Sequence, residues 1–409
     1  MMRLLYTLFI YFYFISIRIA SFFNSKAKLW IDGRRDIFQQ LKSKIQSSPS
    51  PVIWIHCASL GEFEQGRPII EKLKKDHGEI KIVLTFFSPS GYEIRKNYAV
   101  ADHVFYLPLD TPLNAKKFIS IVKPTAAFFV KYEFWFNYLT ELKNNAIPTY
   151  LVSGIFREDH YFFKNYSAWF RKQLNAFNHF YLQDEKSQKL LNSIGFKNTT
   201  VAGDTRFDRV DEVSKNVKNI PLIELFKQQQ PLFVAGSTWQ PDEELLAEFD
   251  FSAAGFKLVV APHEISEVRI QFLISKFKNN VQRYSQVNEE TIKTANILII
   301  DNMGMLSSIY QYGTVAFIGG GFGKGIHNIL EPAAFGLPVI FGPKYKKFEE
   351  AKELVHLRGA FVANNSKDLQ NIIQLLTHSP AGLLAEATAK RFIQHHVGAT
   401  NMILGDIKF

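Results

Sequence analysis

Two glutamates flank Phe63 in "SLGEFEQGRP", residues 59 to 68, between an apolar run, "PVIWIHCA", and the helically spaced run "RPIIEKLKKDHG" with Pro68 near its first turn. Glu62 and Glu64 therefore sit at a strand-to-helix junction, which in a parallel α/β sheet is the carboxyl end of a strand, where ligands bind. Glu133 of "KYEFWFN" and Arg206 of "GDTRFD" are further charges beside apolar runs. A buried carboxylate must be paired or hydrogen-bonded, so Glu133 is either half of an internal salt bridge or a functional group. The bland reading of Glu62 is a helix carboxylate in a first turn, and that of Glu64 is a solvated side chain.

The second half is richest in "FIGGGFGKGIHNILEPAAFGLPVIFGP", residues 317 to 343. A strand ends in Gly319, Gly320 and Gly321, glycines follow at 323 and 325, and a helix is expected to begin near His327 or Asn328. Such a loop brings backbone N–H groups to an anion at a helix start, which suits phosphate, and Glu331 on the same face as Asn328 suits the hydroxyls of a ribose. A helix cap with a tight turn is the competing reading. The loop is neither the dinucleotide fingerprint nor a Walker loop. "APHEISE", residues 261 to 267, lacks the second histidine of a zinc helix, so His263 reads as a hydrogen-bonding group for a ligand. "AGSTWQPDE" and "DNMGML" also follow strand-like runs and share that topological position.

The elements that must hold these groups alternate short apolar strands with amphipathic helices. From Pro51 to about Val201 the strands are "VIWIHCA", "IKIVLTFF", "HVFYLPL", "TAAFFVKY", "PTYLVSG", "HFYLQD" and "TTVAGD". A second set runs through "PLFVAGS", "FKLVVAPHE", "NILIID", "VAFIGGG" and "LPVIFGP". The rhythm predicts an α/β protein of two doubly wound, Rossmann-like domains meeting across a cleft, joined by "DRVDEVSKNVKNIP". The boundaries read as an anchor segment at 1–30, a first domain at 31–208, a second at 209–385, and a C-terminal helical stretch at 386–409 that packs back on the first.

The chain has 409 residues, more than one core usually fills, and 47% hydrophobic residues. Its formal net charge of +10 favours an anionic partner, and the absence of a recognised module or Arg-rich arm argues against nucleic acid. The single cysteine, Cys57, rules out an intrachain disulfide and reads as a buried structural thiol. "MMRLLYTLFIYFYFISIRIASFF" is apolar and aromatic up to Ile17, meets Arg18 and resumes. No small-x-small cleavage site stands out, so a retained membrane anchor is favoured over a signal peptide; it either spans or lies in the interface with Lys26, Lys28, Arg34 and Arg35 on anionic lipid. Basic residues downstream of it put the body of the protein in the cytoplasm.

Taken in order, "WIHCASLGEFEQGRP", "FFSPSGYE", "YLPLDTP", "KYEFWFN", "GDTRFD", "DNMGML" and the long glycine-rich stretch resemble the 3-deoxy-D-manno-octulosonic acid (Kdo) transferases of lipopolysaccharide assembly. The resemblance spans essentially the whole chain. It implies a GT-B fold, CMP-Kdo as donor, a lipid A precursor as acceptor, no cofactor or metal, and a place on the cytoplasmic face of the inner membrane. It implies Glu62 as general base and Glu133 and Arg206 as transition-state stabilisers. It implies CMP binding by Pro262, His263, Met303, Gly304, Met305, Asn328, Ile329, Leu330 and Glu331. The chain departs from the family at Arg206 (usually lysine), His263 (often arginine), Met305 (usually glutamate) and Phe136 (usually proline). Two further readings stay in play: a membrane-associated transferase of the same fold using another nucleotide sugar, and a non-catalytic glycolipid-binding protein.

Overall fold

In a computed structural model of the chain, residues 2–45, 50–277 and 280–407 are described. They form two compact units, one of residues up to Arg209 together with those from Val397, the other Val210–His396.

The first unit carries a seven-stranded sheet of β1 (Val52–Cys57), β2 (Lys81–Phe86), β3 (His103–Tyr106), β4 (Ala126–Val130), β5 (Thr149–Gly154), β6 (His179–Leu182) and β7 (Thr199–Val201). All pairings are parallel and the order is β3-β2-β1-β4-β5-β6-β7. Because helices cover both faces, the strands are nearly continuous apolar runs. Trp54, Val83, Phe105 and Phe129 pack on one face, Ile53, Ile55, Leu84 and Phe128 on the other. Strand order reverses between β1 and β4, so the loops leaving their carboxyl ends diverge and open a crevice.

The second unit repeats the plan with β8 (Leu232–Thr238), β9 (Lys257–Pro262), β10 (Val281–Arg283), β11 (Ile297–Ile299), β12 (Val315–Ile318), β13 (Val339–Phe341) and β14 (Ala360–Val362), in the order β10-β11-β9-β8-β12-β13-β14. Its reversal lies between β8 and β12. Sequence reading missed β10 and β14, three-residue strands at the sheet edges, although it found β7, which is as short and also at an edge. The expected connecting segment is also structured, as the helix Arg206–Lys215 followed by the helix Pro221–Lys227.

The C-terminal stretch is two helices, Ala381–His396 and Ala399–Gly405, parted at Gly398, whose φ of 118° breaks the first. Only the later one belongs with the first unit, where Asp208 accepts hydrogen bonds from the Gly398 and Thr400 amides and the Thr400 hydroxyl.

The amino-terminal helix, Met2–Ala20, is long and apolar enough to cross a membrane. One side of it is docked on the first unit: Arg3 Nε donates to Asn137 Oδ1 at 2.9 Å, the Tyr6 hydroxyl donates to Asp110 at 2.7 Å, and Tyr6 packs edge-on to Phe136. Leu4, Leu5, Leu8, Phe9, Phe12 and Ile15 are exposed on its surface.

Candidate active site

The helix after β1 runs Leu60–Asp76, so Glu62 and Glu64 lie inside its first two turns and Pro68 in its interior, earlier than the spacing suggested. Ser59 is extended at its N-cap, and its hydroxyl donates to the Glu62 carboxylate. Gly66 lets this helix press onto the sheet: a Cβ there would sit 2.8 Å from Cys57 Sγ and 3.2 Å from Val130 Cγ2. Cys57 is the buried thiol expected. The two glutamates then separate. Glu62 is 8% exposed, and among the described residues it has no ion pair; Glu64 pairs with Arg95 at 3.0 Å instead of being merely solvated.

Glu133 follows β4, across the reversal from Glu62. It is not in a salt bridge to lysine or arginine among the described residues. Its Oε2 accepts from Trp135 Nε1 at 2.9 Å, and that indole N–H also points at His56 Nε2, 2.9 Å away. His56, fully buried in β1, meets Thr85 Oγ1 through Nδ1 at 2.9 Å. Since an indole donates only, His56 Nε2 accepts and the ring is a neutral Nδ1–H tautomer assigned from this network. The two glutamates act on the same neighbours. Burial, then Glu62, then Glu133 push the Tyr132 phenol up, and burial followed by the same two carboxylates and Glu64 pushes the Cys57 thiol up.

Arg206 opens the helix after β7. Its amide and Nε both donate to Asp204 at 2.9 Å, and Gln65, one turn beyond Glu62, donates to the same carboxylate at 3.0 Å. The Thr205 hydroxyl donates to the Gln65 carbonyl. Burial alone would raise the Asp204 carboxyl, but the Arg206 charge and these hydrogen bonds outweigh it and hold it below the usual range. The helix of Glu62 and the loop of Arg206 are thus tied together by buried groups. Glu62, Glu133 and Arg206 all belong to the first unit.

In the second unit the groups singled out from sequence gather at strand carboxyl ends. Pro262 ends β9 and His263 follows; Met303, Gly304 and Met305 follow β11; Asn328 to Glu331 follow β12. Met303 is 88% exposed and Gly304 adopts φ 88°. The side chains of Ile329 and Leu330 are buried, so these two positions offer a ligand only backbone. Asn328 Nδ2 donates to Glu331 at 3.0 Å and Asn328 Oδ1 accepts from the Leu330 amide, capping a helix, Leu330–Ala334, that starts later than expected. The glycine loop is no open cradle of N–H groups. Gly319 donates to the Gly236 carbonyl, Gly323 and Gly325 to that of Gly320, His327 to that of Gly319, and Gly320 to Asp242. Gly319 is obligatory for close approach, since a Cβ would fall 2.3 Å from the Ser237 carbonyl oxygen.

Residues that sequence reading passed over complete both sites: His56, Trp135, Gln65 and Asp204 in the first, Trp239, Asp242 and His327 in the second. A signal existed for some of them. His56 is an imidazole in an otherwise apolar strand, and Pro241 followed by Asp242 marks a helix start beside Trp239.

A sequence model of the 3-deoxy-D-manno-octulosonic-acid transferase (kdotransferase) family matches residues 33–209. The 3-deoxy-D-manno-octulosonic acid transferase of Haemophilus influenzae is 29% identical over 350 residues, 81% of each chain. That of Aquifex aeolicus is 28% identical over 327 residues, 78% of this chain and 83% of its own. Among solved structures, a UDP-GlcNAc 2-epimerase from Neisseria meningitidis matches with a TM-score of 0.59 at 17% identity, covering 87% of this chain and 98% of that one. This last likeness concerns the fold, two doubly wound Rossmann-like domains of GT-B type. The relatives align across both units and carry one printed activity: the chain is a glycosyltransferase, similar over most of its length to the Kdo transferases.

Proposed function

We propose that the protein moves Kdo from CMP-Kdo to a lipid A precursor in lipopolysaccharide assembly, in a single inverting step that uses no metal ion, at the cytoplasmic face of the inner membrane. The observation that carries this reading is Glu62: a nearly buried carboxylate without a cationic partner among the described residues, in a helix first turn at the reversal point of a parallel sheet. Glu62 takes the proton from the acceptor hydroxyl as that oxygen bonds to the anomeric carbon, and the bond to CMP breaks with its electron pair leaving on the phosphate. Glu133 faces positive charge growing at the anomeric centre and Arg206 the negative charge growing on the leaving group. Pro262, His263, Met303, Gly304, Met305, Asn328 and Glu331 hold CMP, with Ile329 and Leu330 contributing main chain.

The amino-terminal helix lies in the membrane interface rather than crossing it. Supporting this, one side is taken up by Asp110, Asn137 and Phe136, so lipid can surround only the other. A cavity of about 640 Å³ beside its end is lined by Arg18, Lys28, Arg34 and Arg35 with Phe14 and Phe22; Asp32, paired with Arg35, offsets one of these charges, and the excess of cations suits anionic headgroups.

Mass spectrometry of the purified enzyme with a tetraacylated lipid A precursor and CMP-Kdo generated in situ tests the reading. Stepwise gains of Kdo mass that vanish in Glu62→Gln are expected. Transfer only from a different nucleotide sugar would overturn the donor, and CMP-Kdo binding without transfer would overturn the acceptor.

A further inference from the structure

In the second unit, Trp239 and His327 face each other across the reversal between β8 and β12. Their rings are nearly coplanar, 13° apart with centroids separated by 6.4 Å, and Trp239 Nε1 donates to His327 Nε2 at 2.9 Å. His263 lies parallel over both, 4.7 Å from the Trp239 ring and 4.4 Å from the His327 ring, at 28° and 24°. The flat pair is a floor and His263 is stacked on its seam, with its remaining surface exposed.

The backbone that carries these rings is fixed from below. One oxygen of Asp242, which is 1% exposed, accepts from the Trp239 amide and from the Gly320 amide, each at 2.8 Å, joining the loop of the tryptophan to the loop of His327. The His263 amide donates to the Thr238 carbonyl at 2.9 Å, and the His327 amide to the Gly319 carbonyl at 3.1 Å.

We propose that Trp239 is a positioning residue of the donor site, fixing His327 as the neutral Nδ1–H tautomer and completing the floor that orients His263 toward the phosphate of a pyrimidine nucleotide. This rests on the reading of the second unit as the CMP-binding domain. An indole N–H has no acceptor capacity, so the nitrogen it faces must be unprotonated and the ring's one proton sits on Nδ1. Protonating His327 would set two donors against each other. Burial and then the neighbouring His263 hold its imidazole down at about 4, in keeping with a neutral ring. A tautomer that is fixed rather than exchanging offers a donor in one direction only, which spares the ligand the cost of ordering it.

The test uses the full-length protein in detergent, with 15N-labelled histidine and CMP as the probe. Wild-type His327 should show the Nδ1–H pattern of nitrogen shifts. Trp239→Phe keeps an aromatic floor but removes the N–H; the His327 signals should move toward an averaged tautomer and the Kd for CMP should rise about tenfold, a loss of one hydrogen bond. His327→Phe should cost a similar factor, and the double variant should be no worse than either single one, because both break one link. An unchanged tautomer, an unchanged CMP affinity, or a double variant near a hundredfold weaker would overturn the proposal. Failure of wild-type protein to bind CMP would bring down the donor-site reading itself, before any variant is compared. Thermal melting of each variant guards against loss of fold, and His327→Phe carries the test if Trp239→Phe does not fold.

Discussion

The two sheets each place a tryptophan and a histidine at their reversal point, and the two pairs share a donor, an acceptor and a distance: Trp135 to His56 and Trp239 to His327, both at 2.9 Å. They differ in ring geometry. The first pair is nearly perpendicular, at 76°, and its indole N–H is divided between His56 and the Glu133 carboxylate. The second is coplanar, at 13°, and its N–H goes to the imidazole alone. In the first pair one indole proton is shared between the His56 imidazole and the Glu133 carboxylate, whose Oε2 lies 3.6 Å from His56 Nε2. A coplanar approach commits the proton to one acceptor and turns the histidine into a directed donor. On the proposed function, the same two residue types serve a carboxylate in one unit and a nucleotide phosphate in the other.

The largest effect that would sharpen this contrast is at Glu62. Glu62→Gln keeps the shape and the contact with Ser59 but cannot take a proton, so kcat should fall by about 10²- to 10⁴-fold while the Kd for CMP stays within about twofold. Residual turnover near wild type would remove the base from the first unit and leave the comparison without a catalytic meaning.

Next in size is Trp135→Phe. The ring stays packed against Phe87, whose centroid is 4.5 Å from that of Trp135, but Glu133 and His56 lose their shared donor. A hydrogen bond to a charged group is worth about 1.5 to 3 kcal/mol, so kcat should drop by roughly 10- to 100-fold with CMP affinity unchanged. Trp239→Phe should show the opposite split, in affinity for CMP. If both variants changed the same constant, the division of labour between the two pairs would be wrong.

How far all this was legible in sequence depends on the residue. Most strands of both sheets showed because buried parallel strands are uninterrupted apolar runs; β10, Val-Gln-Arg, offers no such run, and two of the three residues of β14 are only half-buried. Glu62, Glu133 and Arg206 stood out because a charge at the end of an apolar run has few innocent explanations. Trp135 did not, since a tryptophan in an apolar segment reads as core until its N–H is seen to have a particular acceptor, and for Trp239 the segment was singled out but not the residue. Nor could spacing show that His56 and Trp135, 79 positions apart, meet. Topology makes such contacts: β1 and β4 are neighbours, with His56 beside Phe129 in register. The glycine loop misled for a related reason. Glycines signal close approach, but not whether a ligand or another strand of the same protein approaches; Gly319 lies against the end of β8, and the Gly320 amide donates to Asp242 in the helix that follows.

The smallest effect concerns pH, and the comparison says where it should not arise. With His327 held at about 4, chiefly by burial, the coplanar pair does not titrate between pH 5 and 8. A group that does lies under the amino-terminal helix. Asp110 is 1% exposed and accepts from the Asn137 amide at 3.1 Å, the Tyr138 amide at 3.0 Å and the Tyr6 hydroxyl, so it joins that helix to the start of the helix that follows Trp135. Burial pushes its carboxyl up to about 6 despite these hydrogen bonds. A folded-state value above the unfolded one, about 3.9, means the fold binds the proton more tightly; the stabilisation is complete below the unfolded value and is lost as pH rises through the folded one. From pH 5 to pH 7.5 this should cost the first unit about 1 kcal/mol, or roughly 2 to 4 °C in Tm. Asp110→Asn carries no titrating group there, so its Tm, measured in the same detergent at both pH values, should fall less than that of the wild type by about that amount. A wild-type Tm that rises relative to Asp110→Asn over this range would show that the carboxylate is kept charged by its partners, with Arg3 the cation closest to that role, and that the helix is docked through an ion pair instead of a buried acid.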